Sequence, residues 1–120
     1  MATRELEVAV RQRAGATILD LVGDVDAAAE RALQRAYDAA ARDGGSVVLN
    51  FSRTEYINST GIALIVGLLA QARARGARIT ACGLSEHYRE IFEITRLADF
   101  MTIADTENGA LGGAEGGHHA

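Results

Sequence analysis

The chain has 120 residues, 48% of them hydrophobic and 23% charged, and a formal net charge of −4. This length suits one domain with a core of its own, and the composition is that of a globular protein. Twelve basic against 16 acidic residues leave no surplus of cations to neutralise phosphates, which argues against nucleic-acid binding.

Leu6, Val8 and Val10 alternate with polar or small residues, the period-two pattern of a half-buried strand. Arg13-Ala14-Gly15 reads as a turn and Thr17 to Val22 as a second strand, so the two form an antiparallel hairpin. Gly23-Asp24-Val25-Asp26 then breaks the strand and opens a helix, with Asp24 or Asp26 as its cap. That helix runs to about Arg42, with Ala29, Leu33, Tyr37 and Ala40 as its buried stripe, and Gly44-Gly45 ends it. Val47 to Phe51 is almost wholly apolar, as in a central strand covered on both faces.

Ser52 to Asn58 reads as a loop. Ser59 starts a helix through about Arg75, with Gly76 past its end and Ile62, Ile65, Val66 and Leu69 on its buried face. Gly67 lies inside this helix, and close approach to the sheet or another helix would account for it. Arg73, Arg75 and Arg78 cluster around Gly76 and read as a solvated helix end. Arg78 to Cys82 is a strand parallel to the one before, because a helix crosses over between them. Ser85 caps a helix from Glu86 to about Ile94, with Ile91, Phe92 and Ile94 as its contacts, and Phe100 to Ala104 is a last short strand. From 106 to 120 the chain is Gly-rich and reads as a flexible tail carrying His118 and His119. The fold expected is α/β: a mixed sheet of about five strands with helices packed on it, in one domain over residues 1–105.

Cys82 is the single cysteine, so no intramolecular disulfide forms, and it reads as a small buried hydrophobe rather than a nucleophile. Met1 to Val10 lacks the apolar core of a signal peptide, and the run Ile62 to Ala70 is far short of the roughly 20 residues that cross a bilayer. A cytoplasmic protein without membrane insertion is expected.

Catalytic chemistry has little to stand on. The elbow Gly-x-Ser-x-Gly is absent, since residues 57–61 read Ile-Asn-Ser-Thr-Gly. Outside the tail the one histidine is His87, no spacing of His, Cys and carboxylates suits a metal, and no Gly-rich loop with a Lys follows a strand. No enzyme activity and no cofactor are expected. The informative stretch is Tyr56-Ile57-Asn58-Ser59-Thr60-Gly61, which sets two adjacent hydroxyls at a strand-to-helix junction. A helix N-terminus has free N–H groups and partial positive charge, so Ser59 there serves as a cap or as an acceptor of phosphate. Thr60 is a second candidate acceptor.

Three segments resemble the STAS domains of anti-sigma factor antagonists, over roughly residues 5–105. The first is Asn58-Ser59-Thr60-Gly61, where that family typically has Asp-Ser-[Ser/Thr]-Gly with the first Ser as the phosphoacceptor. The second is Gly23-Asp24-Val25-Asp26 before the first helix; the third runs from Cys82-Gly83-Leu84-Ser85 to Phe92-Glu93-Ile94-Thr95-Arg96-Leu97. The resemblance implies that the unphosphorylated chain binds an anti-sigma factor, itself a serine kinase of the histidine-kinase-like ATPase fold, and so frees a sigma factor. Phosphorylation at Ser59 then ends binding, and a PP2C-type phosphatase reverses it. It implies a partner surface of Asp24, Asp26, Ile57, Asn58, Ser59, Thr60, Gly61 and Ile62. An exposed apolar surface near Val25, Ile57 and Ile62 would serve that partner or a homodimer. Asn58 departs from the family's Asp, which removes a negative charge beside the serine and repels a phosphate less. The alternatives are a STAS scaffold subunit of a stress-sensing complex, a soluble subunit of a lipid-transport system, or a small nucleotide-binding module.

Overall fold

The computed structural model describes residues 4–42 and 45–114. Strands β1 (Glu7–Arg13) and β2 (Ala16–Val25) form the expected antiparallel hairpin, with Arg13 opposite Ala16. Ala14 and Gly15 link them, both at positive φ (53° and 82°), a two-residue turn whose twist matches that of the strands.

β2 does not stop at Gly23. Gly23 sits at φ +117°, where a Cβ would lie 2.8 Å from the Glu5 carbonyl oxygen, and the pairing register shifts between Gly23 and Asp24. A bulge lets the strand bend and continue to Val25. A 3-10 turn (Ala27–Ala29) then leads into α1 (Glu30–Arg42), which buries Leu33, Ala36, Tyr37 and Ala40. Gly44, read as the stop of this helix, lies outside the described residues.

β3 (Ser46–Asn50) pairs parallel with the first half of β2. The segment expected to be a loop holds β4 (Thr54–Ile57), which pairs parallel with the end of β2, Val25 opposite Ile57. Its pattern was hidden because, of its four residues, only Ile57 is buried. α2 (Ser59–Ala74), β5 (Ile79–Cys82), α3 (Glu86–Ile94), a 3-10 turn (Leu97–Asp99) and β6 (Thr102–Ala104) follow. The sheet has six strands in the order β1-β2-β3-β5-β6, with β4 paired to β2 off this path.

Alternate residues of each central strand feed two cores. Leu19, Leu21, Val47, Leu49, Ile79 and Ala81 face a large core shared with α1, α2 and α3, where Phe51 and Phe92 meet edge to face at 5.9 Å. Ile18, Val48 and Cys82 face the opposite side.

Four further expectations need correcting. The stretch expected to be a tail from 106 contains α4 (Glu107–Ala114), whose Ala110 and Leu111 are buried against Ile18, Val48 and Cys82. Arg11 and Arg13 donate to the Glu107 carboxylate at 2.7 and 2.6 Å and fasten its first turn; His118 and His119 lie outside the described residues. On α2 the buried face is Gly61, Ile65, Leu68, Leu69 and Ala72, whereas Val66 is 45% exposed. A helix that is apolar on every side does not reveal which side is covered. Gly67 meets nothing within 4 Å of a notional Cβ, so no close approach among the described residues accounts for it. On α3, Ile94 is 73% exposed; Phe92 is buried and Tyr88 and Ile91 pack beside it, one stripe at helical spacing.

Candidate functional site

The parallel pairing of Val25 with Ile57 ends at the N-terminus of α2. The Asn58 N–H donates to the Val25 carbonyl at 3.2 Å, which anchors the first residue beyond β4 to the last of β2. The Asn58 side-chain oxygen accepts from the Gly61 N–H at 2.8 Å, so Asn58, not Ser59, is the N-cap. Ser59 and Thr60 therefore occupy the first two helical positions, and both are exposed. Their own N–H groups precede any carbonyl the helix could offer.

Gly61 is the residue that lets the helix end approach β2. A Cβ on it would lie 2.0 Å from the Val25 carbonyl oxygen and 2.7 Å from its carbon, so no larger residue fits without movement. From the other side, the Tyr88 hydroxyl of α3 accepts the Ile57 N–H at 3.0 Å. The serine thus stands on a junction fixed by β2, β4 and α3.

The remaining candidates divide into support and surface. Asp24 is buried; its carboxylate accepts the Arg4 N–H at 2.9 Å and its own N–H donates to the Arg4 carbonyl, so it ties down the N-terminal segment. Asp26 is partly exposed and caps the 3-10 turn by accepting from the Ala28 N–H at 3.1 Å. Ile57, Gly61 and Val25 are buried, and Ile62 is half-buried against the core. The apolar surface expected around Val25, Ile57 and Ile62 is therefore interior, consumed by the β2–β4 pairing and the α2 contact. What faces solvent is Ser59, Thr60, Ala63 and Tyr56, the last 50% exposed, with Ala27 and Ala28 of the neighbouring turn.

Sequence reading missed two tyrosines. Tyr56 carries a faint signal, the strand-favouring pair Tyr56-Ile57 before the cap. Tyr88 carries none, because its bond to Ile57 spans 31 positions.

Among the described residues no three His, Cys, Asp or Glu side chains stand together as a metal site, and no helix is long and apolar enough to cross a membrane. Cys82 is fully buried, and burial beside Asp20 and Glu107 pushes its thiol up to about 11, so it is protonated at neutral pH.

Residues 8–103 match the family described as "Mlab, STAS domain". An anti-sigma-B factor antagonist of Listeria monocytogenes is 28% identical over 88 residues, 72% of this chain and 77% of that protein. The anti-sigma-B factor antagonist of Bacillus subtilis is 24% identical over 106 residues, 88% of this chain and 97% of that one. Among solved structures, the Bacillus antagonist SpoIIAA superposes with a TM-score of 0.71 in its unphosphorylated form (20% identity; 92% of this chain, 99% of that one). In its phosphorylated form the TM-score is 0.66 (22% identity; 88% and 96%). These relatives bear the names of regulatory binding proteins rather than of enzymes. The fold, the matched span and these relatives together make the chain a member of the STAS-domain family.

Proposed function

We propose that this protein is an anti-sigma factor antagonist, and that phosphorylation of Ser59 switches its binding off. The observation that carries the proposal is an exposed serine hydroxyl at the first helical position of α2, held on an otherwise rigid junction. A kinase reaches such a hydroxyl without unfolding anything. The phosphate adds about −1.5 to −2 charges, and the N–H groups and dipole at the helix end tolerate them. The fold survives, while the charge is thrust at whatever protein had covered Ser59, Thr60 and Tyr56. The relatives' names support an anti-sigma factor as the kind of partner; in this reading that factor is also the serine kinase, and a PP2C-type phosphatase restores the binding form. Asn58 and Asp26 border the contact, and Asp24, Ile57, Gly61 and Ile62 support it from beneath. The chain itself performs no catalysis and holds no cofactor.

Calorimetric titration of Ser59→Ala and Ser59→Asp against the anti-sigma factors of the same genome tests this. Ser59→Ala retains wild-type affinity, and Ser59→Asp loses about tenfold or more, from a like or unpaired charge at the interface. Equal affinities for the two variants would refute the switch.

A further inference from the structure

α2 carries no charged residue from Ser59 to Gln71, and the first charge is Arg73. Its inner stripe, Gly61, Ile65, Leu68 and Ala72, is buried in the core. The opposite stripe, Ala63, Val66, Gly67 and Ala70, recurs at the same helical spacing and is also apolar. A helix on the surface of a protein ordinarily turns a polar face outward, and one that is apolar all round belongs to a buried place. Val66 is nevertheless 45% exposed, and beside it Phe100 is 57% exposed. Between them runs a groove of about 290 Å³ lined by Val66, Leu69, Ala70, Arg73, Leu97 and Phe100.

Charge at the rim selects the occupant. The Arg73 guanidinium stands 5.6 Å over the Phe100 ring. Among the described residues no ion pair engages Arg73 or Arg78, and the two line one rim beside Phe100. Two unpaired cations on the rim of an apolar groove suit the carboxylates of an acidic partner. A second copy fits poorly. A twofold contact sets a patch against itself, and Arg73 and Arg78 would then meet their own counterparts. Gly67 adds a geometric reason: among the described residues nothing lies within 4 Å of a notional Cβ there, so its bare backbone in the outward stripe permits a second helix to lie close.

We infer that the outward face of α2 and the Phe100 groove dock an acidic amphipathic helix from another protein, its apolar stripe along Val66, Gly67 and Ala70 and its carboxylates on Arg73 and Arg78. This docking stands apart from the reading of Ser59, because the groove begins about two helical turns, roughly 10 Å, beyond the serine.

The test titrates the full chain into a fluorescein-labelled amphipathic peptide of about 18 residues, long enough to form a helix on the surface, with Leu on one stripe and Glu elsewhere. A twin peptide has Lys in place of Glu. The Glu peptide binds about tenfold more tightly than its twin, and Arg73→Glu removes most of that difference. Phe100→Ser weakens both peptides several-fold, and amide shifts on binding cluster on Val66, Gly67, Ala70 and Phe100. Both substitutions lie on the surface, and an unchanged melting curve verifies the fold. Equal affinity for the two peptides, no binding of either, or shifts confined to another face would overturn the inference. A dimer in sedimentation equilibrium that Phe100→Ser abolishes would also overturn it, giving the face to a second copy.

Discussion

Two glycines in one helix should respond to alanine in opposite directions. At Gly61 a Cβ would lie 2.0 Å from the Val25 carbonyl oxygen, well over ~1 Å short of ordinary contact. Either α2 moves outward or the end of β2 bends. Overpacking of this kind costs about 1–3 kcal/mol. The same carbonyl accepts the Asn58 N–H at 3.2 Å, and losing that bond costs about 1 kcal/mol more. Gly61→Ala should therefore lose about 2–4 kcal/mol, lowering Tm by roughly 10 °C in a domain of this size. At Gly67 a Cβ meets nothing within 4 Å, so only the backbone effect remains. Gly67→Ala should gain about 0.8–1 kcal/mol and raise Tm by a few degrees. Differential scanning calorimetry of both variants beside the wild type reads the two signs in one experiment. A neutral Gly61→Ala, or a destabilising Gly67→Ala, would show that the packing of α2 on β2 is wrongly described.

Other outcomes follow from the same contacts. Asn58→Ala removes the N-cap and should cost about 1 kcal/mol in urea unfolding, whereas Asn58→Asp keeps the cap and adds a carboxylate at the positive helix end, so it should match or exceed the wild type. Cys82 should react slowly with a thiol reagent, and Leu111→Ser should speed labelling by about tenfold or more, because α4 loses the burial of its main apolar contact over the cysteine. Unchanged labelling would mean that α4 does not shield Cys82. Arg11 holds the Asp20 and Glu107 carboxylates below their usual range, with Asn50 helping at Asp20 and Arg13 at Glu107. Groups with depressed folded-state pKa stabilise above their unfolded values and lose that effect as pH falls through the folded ones. Arg11→Gln should thus cost about 1 kcal/mol at pH 7, allowing for partial exposure, and the gap to wild type should close as pH falls below about 4. A gap that is constant with pH would contradict the ion-pair account.

The parts of this fold that were readable in the sequence are those where burial follows a single period. Val47 to Phe51, covered on both faces, and the α1 stripe of Leu33, Tyr37 and Ala40 declared themselves in this way. β4 did not, because a strand with one buried residue in four has no period, and its place is set by Val25 across the sheet. α4 did not either: a segment with Gly109, Gly112 and Gly113 has little helix propensity, and it is held by an apolar floor and by two arginines from β1. At the site, the junction itself was legible from Asn58-Ser59-Thr60-Gly61. Assigning the cap to Asn58 rather than Ser59 required the pairing of Val25 with Ile57, which fixes where the helix begins. The same pairing buries Val25 and Ile57, which local sequence presented as an exposed apolar surface.

The most direct test of the central claim is intact-mass spectrometry of the protein incubated with ATP and each anti-sigma kinase of its own genome, with Ser59→Ala in parallel. The account predicts one added phosphate with at least one kinase and none on Ser59→Ala. No phosphate with any kinase, or a phosphate that persists on Ser59→Ala, would contradict a switch at Ser59.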